Sequence, residues 1–157
     1  KRKGVTLQEL KKHFQKQRKS TPAKTKENQE EKPQFFSYSK NFKRRNKLLG
    51  ISGGYAQFSH LTLDVLEKLL KEEHIDPQER QNSAPSVDEF YQFMKKYPKI
   101  TAHGYAIGPQ RRDYRISIEG LEVVSEEVTP RLKKAFLRFC KGANQLSTED
   151  GLWSWWT

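Results

Sequence analysis

At 157 residues, with 34% apolar and 31% charged side chains, the chain has room for one domain of common size and a short extension. Its single cysteine, Cys140, excludes an intrachain disulfide, and no run approaches the roughly 18 apolar residues of a membrane-spanning helix. The net charge of +11 is uneven: residues 1–50 hold 16 basic and 4 acidic side chains, whereas residues 51–157 hold 14 and 15. This pattern describes a near-neutral domain carrying a basic N-terminal arm.

The arm is expected over residues 1–34 and one folded domain over 35–157. Within the arm, Val5, Leu7, Leu10 and Phe14 form a thin helical stripe, with Thr6 and Glu9 in capping-box spacing. Residues 20–34, STPAKTKENQEEKPQ, offer only Ala23 to a core and read as a disorder-prone linker. Phe36 and Tyr38 then alternate with polar residues, the period of a short strand. Residues 43–47, KRRNK, read as a solvated basic patch. The runs LLGIS and YAQFS around Gly53-Gly54 predict a tight hairpin, because glycine tolerates the positive φ of such turns.

Thr62 predicts the cap of a helix over residues 63–74, with Val65, Leu66, Leu69 and Leu70 on one face. A polar loop, DPQERQNSAP, fills residues 76–85. Ser86 and Glu89 predict a capping box for a second helix that buries Val87, Phe90, Tyr91, Met94 and Tyr97, with Pro98 as its stop. Residues 100–107 and 114–119 read as a hairpin, since Tyr114, Ile116 and Ile118 alternate with polar residues. Thr129 and Pro130 open a third helix with Leu132, Ala135, Phe136, Phe139 and Cys140 as its apolar stripe and Gly142 as its stop. The tail GLWSWWT is expected to fold back on the core. The fold class is therefore α+β, a small antiparallel sheet of hairpins packed by about three helices.

Clustered cations supply the main functional signal, because they release condensed counterions on meeting a polyphosphate. The candidates for nucleic-acid contact are Lys11, Lys12 and Arg18 in the arm, then Lys43, Arg44, Arg45 and Lys47. Arg111 and Arg112 follow in the loop of the second hairpin, and Arg131, Lys134 and Arg138 on the last helix. That helix has no acidic residue between Thr129 and Gly142, and Lys141 extends its stripe. Trp153, Trp155 and Trp156 are the candidate anchor for a protein partner, since large aromatics dominate interface energetics.

The order strand-helix-helix-strand-strand-helix resembles that of type I KH domains, and the resemblance implies a nucleic-acid backbone held by a GxxG loop between the first two helices. Here that loop contains no glycine, and the nearby G-x-x-G spacing, Gly50 to Gly53, falls in the first expected hairpin. In a winged-helix reading, Asp88 and Glu89 stand where a recognition helix would meet phosphates.

Catalytic chemistry has little support. His13, His60, His74 and His103 show no HExxH or H-x₃-H spacing, and neither a P-loop nor GxGxxG occurs. His103 is positioned to meet Glu119 or Arg115 across the second hairpin. Asp64, Asp88, Asp113 and Glu119 are the carboxylates that distant segments would have to assemble into a site. The expected function is non-enzymatic binding of DNA or RNA through phosphate contacts, without metal or cofactor, in an intracellular and cytoplasmic protein. The alternative is a protein-interaction or scaffold module whose arm meets an acidic partner.

Overall fold

The computed structural model describes residues 41–157. The expected arm with Lys11, Lys12 and Arg18, and the strand at Phe36 and Tyr38, lie outside the described residues.

Helix α1 spans Phe42–Leu49, and Asn41 caps it by accepting from the Arg44 amide at 3.0 Å. Gly50 ends it in the left-handed region at φ 70°, where a side chain would be strained. The chain then enters strand β1, Tyr55–Leu61. The hairpin expected around Gly53-Gly54 is therefore absent: Leu48 and Leu49 belong to a helix, because a capped N-terminus and a glycine stop frame the whole basic run. Helix α2, Leu63–Lys71, starts at Thr62 and stops three residues before His74. Helix α3, Val87–Lys96, carries the expected capping box, with both reciprocal bonds formed by Ser86 and Glu89. It also buries Phe93, while Tyr91 and Tyr97 stay half-buried.

Strands β2, Thr101–Ile107, and β3, Arg115–Val123, form the second hairpin as expected. Helix α4, Pro130–Phe139, opens on the Thr129 cap and closes at Cys140 rather than through Gly142. The tail makes two further strands, β4, Gln145–Ser147, and β5, Leu152–Trp155. Five antiparallel strands run in the order β1-β2-β3-β5-β4, an α+β architecture.

Alternation along the strands sends Phe58, Ala102, Ala106, Ile116, Ile118 and Leu121 to the helices, where Leu66, Leu69, Phe90, Met94, Leu132 and Phe136 complete one core. Phe139 stacks on Phe93 at 4.1 Å and ties α4 to α3. Trp156 is 2% exposed and meets Phe90 edge-on at 5.6 Å. Its amide donates to the Glu119 carbonyl.

Helix α1 is joined to α2 by charge. Arg44 donates twice to Glu72, at 3.0 Å each, and His74 Nε2 lies 3.0 Å from the same carboxylate. These bonds, Arg44 first, hold the Glu72 carboxyl at about 2. His74 is buried, its Nδ1 has no hydrogen-bond partner among the described residues, and burial lowers its pKa. The unfolded chain thus binds a proton at His74 that the folded chain resists. Stability is expected to be fully present above the ordinary histidine value of about 6.5 and to fall as pH drops through the lower folded value. Urea melts at pH 7.5 and 5.5 check this. His74→Leu should flatten the difference, and an unchanged difference in that variant would refute the assignment.

Candidate nucleic-acid interface and the open sheet face

Helix α4 places its cations by period. Leu132 and Phe136 are buried, Ala135 and Phe139 half-buried, so the other side of the helix faces solvent. Arg131, Lys133, Lys134, Arg138 and Lys141 are all exposed there. None of the five makes a side-chain hydrogen bond or ion pair among the described residues. Arg131 to Arg138 covers about 10 Å along the axis. Arg131 also stands in a first turn that holds no acidic residue, against the positive end of the helix dipole.

The remaining candidates fare differently. Arg45 is 1% exposed, so it belongs to the core rather than to the basic patch. Its guanidinium lies between the Phe42 and Tyr114 rings, 4.8 and 4.9 Å from their centroids, and donates to the Ile107 carbonyl at 3.1 Å. Burial lowers its pKa to about 10, so it stays charged at neutral pH. The helical period explains the misreading: Phe42, Arg45, Asn46 and Leu49 share the face that α1 turns inward. Arg44 is bound to Glu72, and only Lys43 and Lys47 leave that run fully exposed. In the loop between β2 and β3, Arg111 makes a two-bond pair with Asp113 at 2.7 and 2.8 Å. Arg112 is exposed beside it.

The connection between α2 and α3, where the KH resemblance would place a backbone grip, is engaged with the sheet. Glu79 meets Arg115 at 3.2 Å and accepts from the Ser117 hydroxyl, while Gln81 accepts from the Tyr105 hydroxyl at 2.7 Å.

On the sheet face away from the helices, a cleft of about 510 Å³ reaches from β1 to β4. Trp153 and Trp155 line it, both half-buried, along with His103, Glu119 and Glu122. Trp156, three residues after Trp153 and one after Trp155, points to the opposite side and is unavailable to a partner. His103 Nε2 sits 2.8 Å from the Ser154 carbonyl, which accepts its proton, and the ring stacks on Trp153 at 5.5 Å and 6°. Gly120 makes this possible, because a Cβ there would lie 2.6 Å from His103 Nε2 and collide with the Ser154 carbonyl oxygen. Glu122 is bonded to His60, whose Nδ1 lies 3.1 Å away and whose backbone, at φ 57°, follows a bulge in β1.

Sequence reasoning placed His103 near Glu119, and both line the cleft. It missed Gln57, Ser59, Glu122 and Gln145, whose only sequence signal was polarity alternating within strands. Asp64 and Asp88 are not in the cleft, and Asp113 is held by Arg111. Cys140 is fully buried, and burial pushes its thiol up to about 12, which leaves it unreactive. Among the described residues no three His, Cys, Asp or Glu side chains converge to hold a metal ion. No helix of these residues is long and apolar enough to cross a membrane.

Fold and surface together define an α+β domain with an exposed cationic helix over its core and a carboxylate-and-tryptophan cleft on its open sheet. No protein-family model, curated protein or solved structure matches the chain.

Proposed function

We propose that this protein binds nucleic acid without catalysis, laying α4 along the phosphate backbone of DNA or RNA. The supporting observation is a contrast among arginines. Arg44, Arg45, Arg80, Arg111 and Arg115 are all spent on internal partners, whereas Arg131 and Arg138 stand on one exposed helix face with Lys134 and Lys141 and have no partner among the described residues. Four such contacts give a logarithmic salt slope near −3.6, or an affinity loss on the order of 10² between 50 and 200 mM salt. The exposed Lys43 and Lys47 and the basic residues before Asn41, including Lys11, Lys12 and Arg18, add sequence-independent contacts. Phosphate contacts position a protein and do not read bases, so the expected binding is broad in sequence.

The test is fluorescence anisotropy of the full chain on duplex DNA and single-stranded RNA at 50 to 200 mM salt. Double reversal, Arg131→Glu with Arg138→Glu, is expected to weaken binding at least tenfold and to flatten the salt slope by about 2. Lys68→Glu on α2 is the control. Failure of the wild-type chain to bind either polymer at 50 mM salt, or equal binding by the double variant and the control, refutes the proposal. The single change Arg131→Glu separates function from folding: it should raise stability by about 0.3–1 kcal/mol, because a carboxylate suits a helix N-terminus, while it weakens binding.

A second reading, an interaction module, rests on the two half-buried tryptophans of the cleft. It predicts that Trp155→Ala abolishes capture of a partner and leaves nucleic-acid affinity unchanged.

A further inference from the structure

The cleft on the open sheet has the opposite charge to α4. Among the described residues its walls hold Glu119 and Glu122 and no lysine or arginine. The Glu119 carboxylate makes no side-chain hydrogen bond or ion pair among the described residues. Beside it stand the rings of Trp153 and Trp155, and indole is the aromatic face that attracts cations best. Such a cleft repels phosphate and favours an ammonium or guanidinium group, which gains from the carboxylates and the ring faces together. Its walls are also held in place: His103 is fixed by the Ser154 carbonyl and by stacking on Trp153. The cleft crosses strands spaced about 4.8 Å apart, so its length suits an extended peptide of about five or six residues.

The chain supplies one occupant of this chemistry. Forty residues precede Asn41, and they hold 12 basic against 4 acidic side chains. Extended, they span up to ~130 Å, more than enough to reach any point on the domain. Tethering places such a segment at an effective concentration on the order of millimolar, an advantage that no separate partner shares.

We propose that the basic segment of residues 1–40 docks its lysine and arginine side chains in the Glu119–Glu122–Trp155 cleft of the same molecule. Docking there and contact with phosphate draw on the same cations. Nucleic acid and the cleft therefore compete for the segment, and this second half of the inference rests on the nucleic-acid reading above.

Carbodiimide cross-linking of the full chain, read by mass spectrometry, tests it, because the reagent joins a lysine amine only to a carboxylate in contact with it. The expected products are amide links from lysines of residues 1–40 to Glu119 or Glu122. They should fall at least tenfold in 0.5 M salt and in the Trp155→Ala variant, which keeps both carboxylates. Mixing ¹⁵N-labelled and unlabelled chains distinguishes links within one molecule from links between two. Links only between copies, or none from this segment to the cleft, overturn docking. Excess duplex DNA should deplete the links. If the chain proves not to bind nucleic acid while the links persist, docking stands and the nucleic-acid proposal falls.

Discussion

Replacing Trp156 with alanine is expected to lower the unfolding free energy by about 3–5 kcal/mol, the usual range for removing a large aromatic from a core. Trp156 is 2% exposed, packs edge-on against Phe90, and through its amide extends the contact of the tail with β3. The cavity left behind would lie where α3, α4 and the sheet converge, and all three are braced by neighbours, so collapse cannot fill it. Trp155→Ala, on the open face, should cost about 1 kcal/mol. Urea melts followed by circular dichroism, rather than by tryptophan emission, compare the two. Equal losses would refute the assignment of Trp156 to the core. The comparison also bears on function: a core role for Trp156 leaves Trp153 and Trp155 as the tail's available surface.

Gly120→Ala should be nearly as damaging, about 3 kcal/mol, because the new methyl group meets backbone and not a pliable side chain. At Gly120 the Cβ position runs into the Ser154 carbonyl oxygen, and the His103 ring lies 2.6 Å away at Nε2. The ring can swing aside; the carbonyl belongs to β5 and cannot move without loosening its pairing with Glu122 and Val123. The double variant Gly120→Ala, His103→Ala separates the two collisions. Partial rescue is expected, since only the ring's share is relieved. Full rescue would place the whole cost on His103 and contradict the close approach of β3 and β5.

Much of the fold was legible because its signals are local. The Thr62, Ser86 and Thr129 caps each act within three residues of the helix they start, and each helix begins where its cap places it. The α4 stripe was legible for the same reason: period alone separates Leu132 and Phe136 from Arg131 and Arg138. The first hairpin does not form because Asn41 and Gly50 cap and stop α1, which takes Leu48 and Leu49 out of any strand before Gly53-Gly54. The cleft was legible only in pieces, as the pair His103 and Glu119 and the tryptophans Trp153 and Trp155. Its side chains come from five strands between Gln57 and Trp155, and no local pattern joins them.

By itself, the sequence determined the charge imbalance, most helix starts, the second hairpin and the cationic face of α4, because each depends on composition or on periods of a few residues. Only the tertiary structure decided which cations remain available. Arg44 found Glu72 from 28 positions away, and Arg45 found the Ile107 carbonyl from 62 away. The availability of a charge depends on what lies within about 4 Å of it, and distant segments supply that neighbour only once the chain has folded.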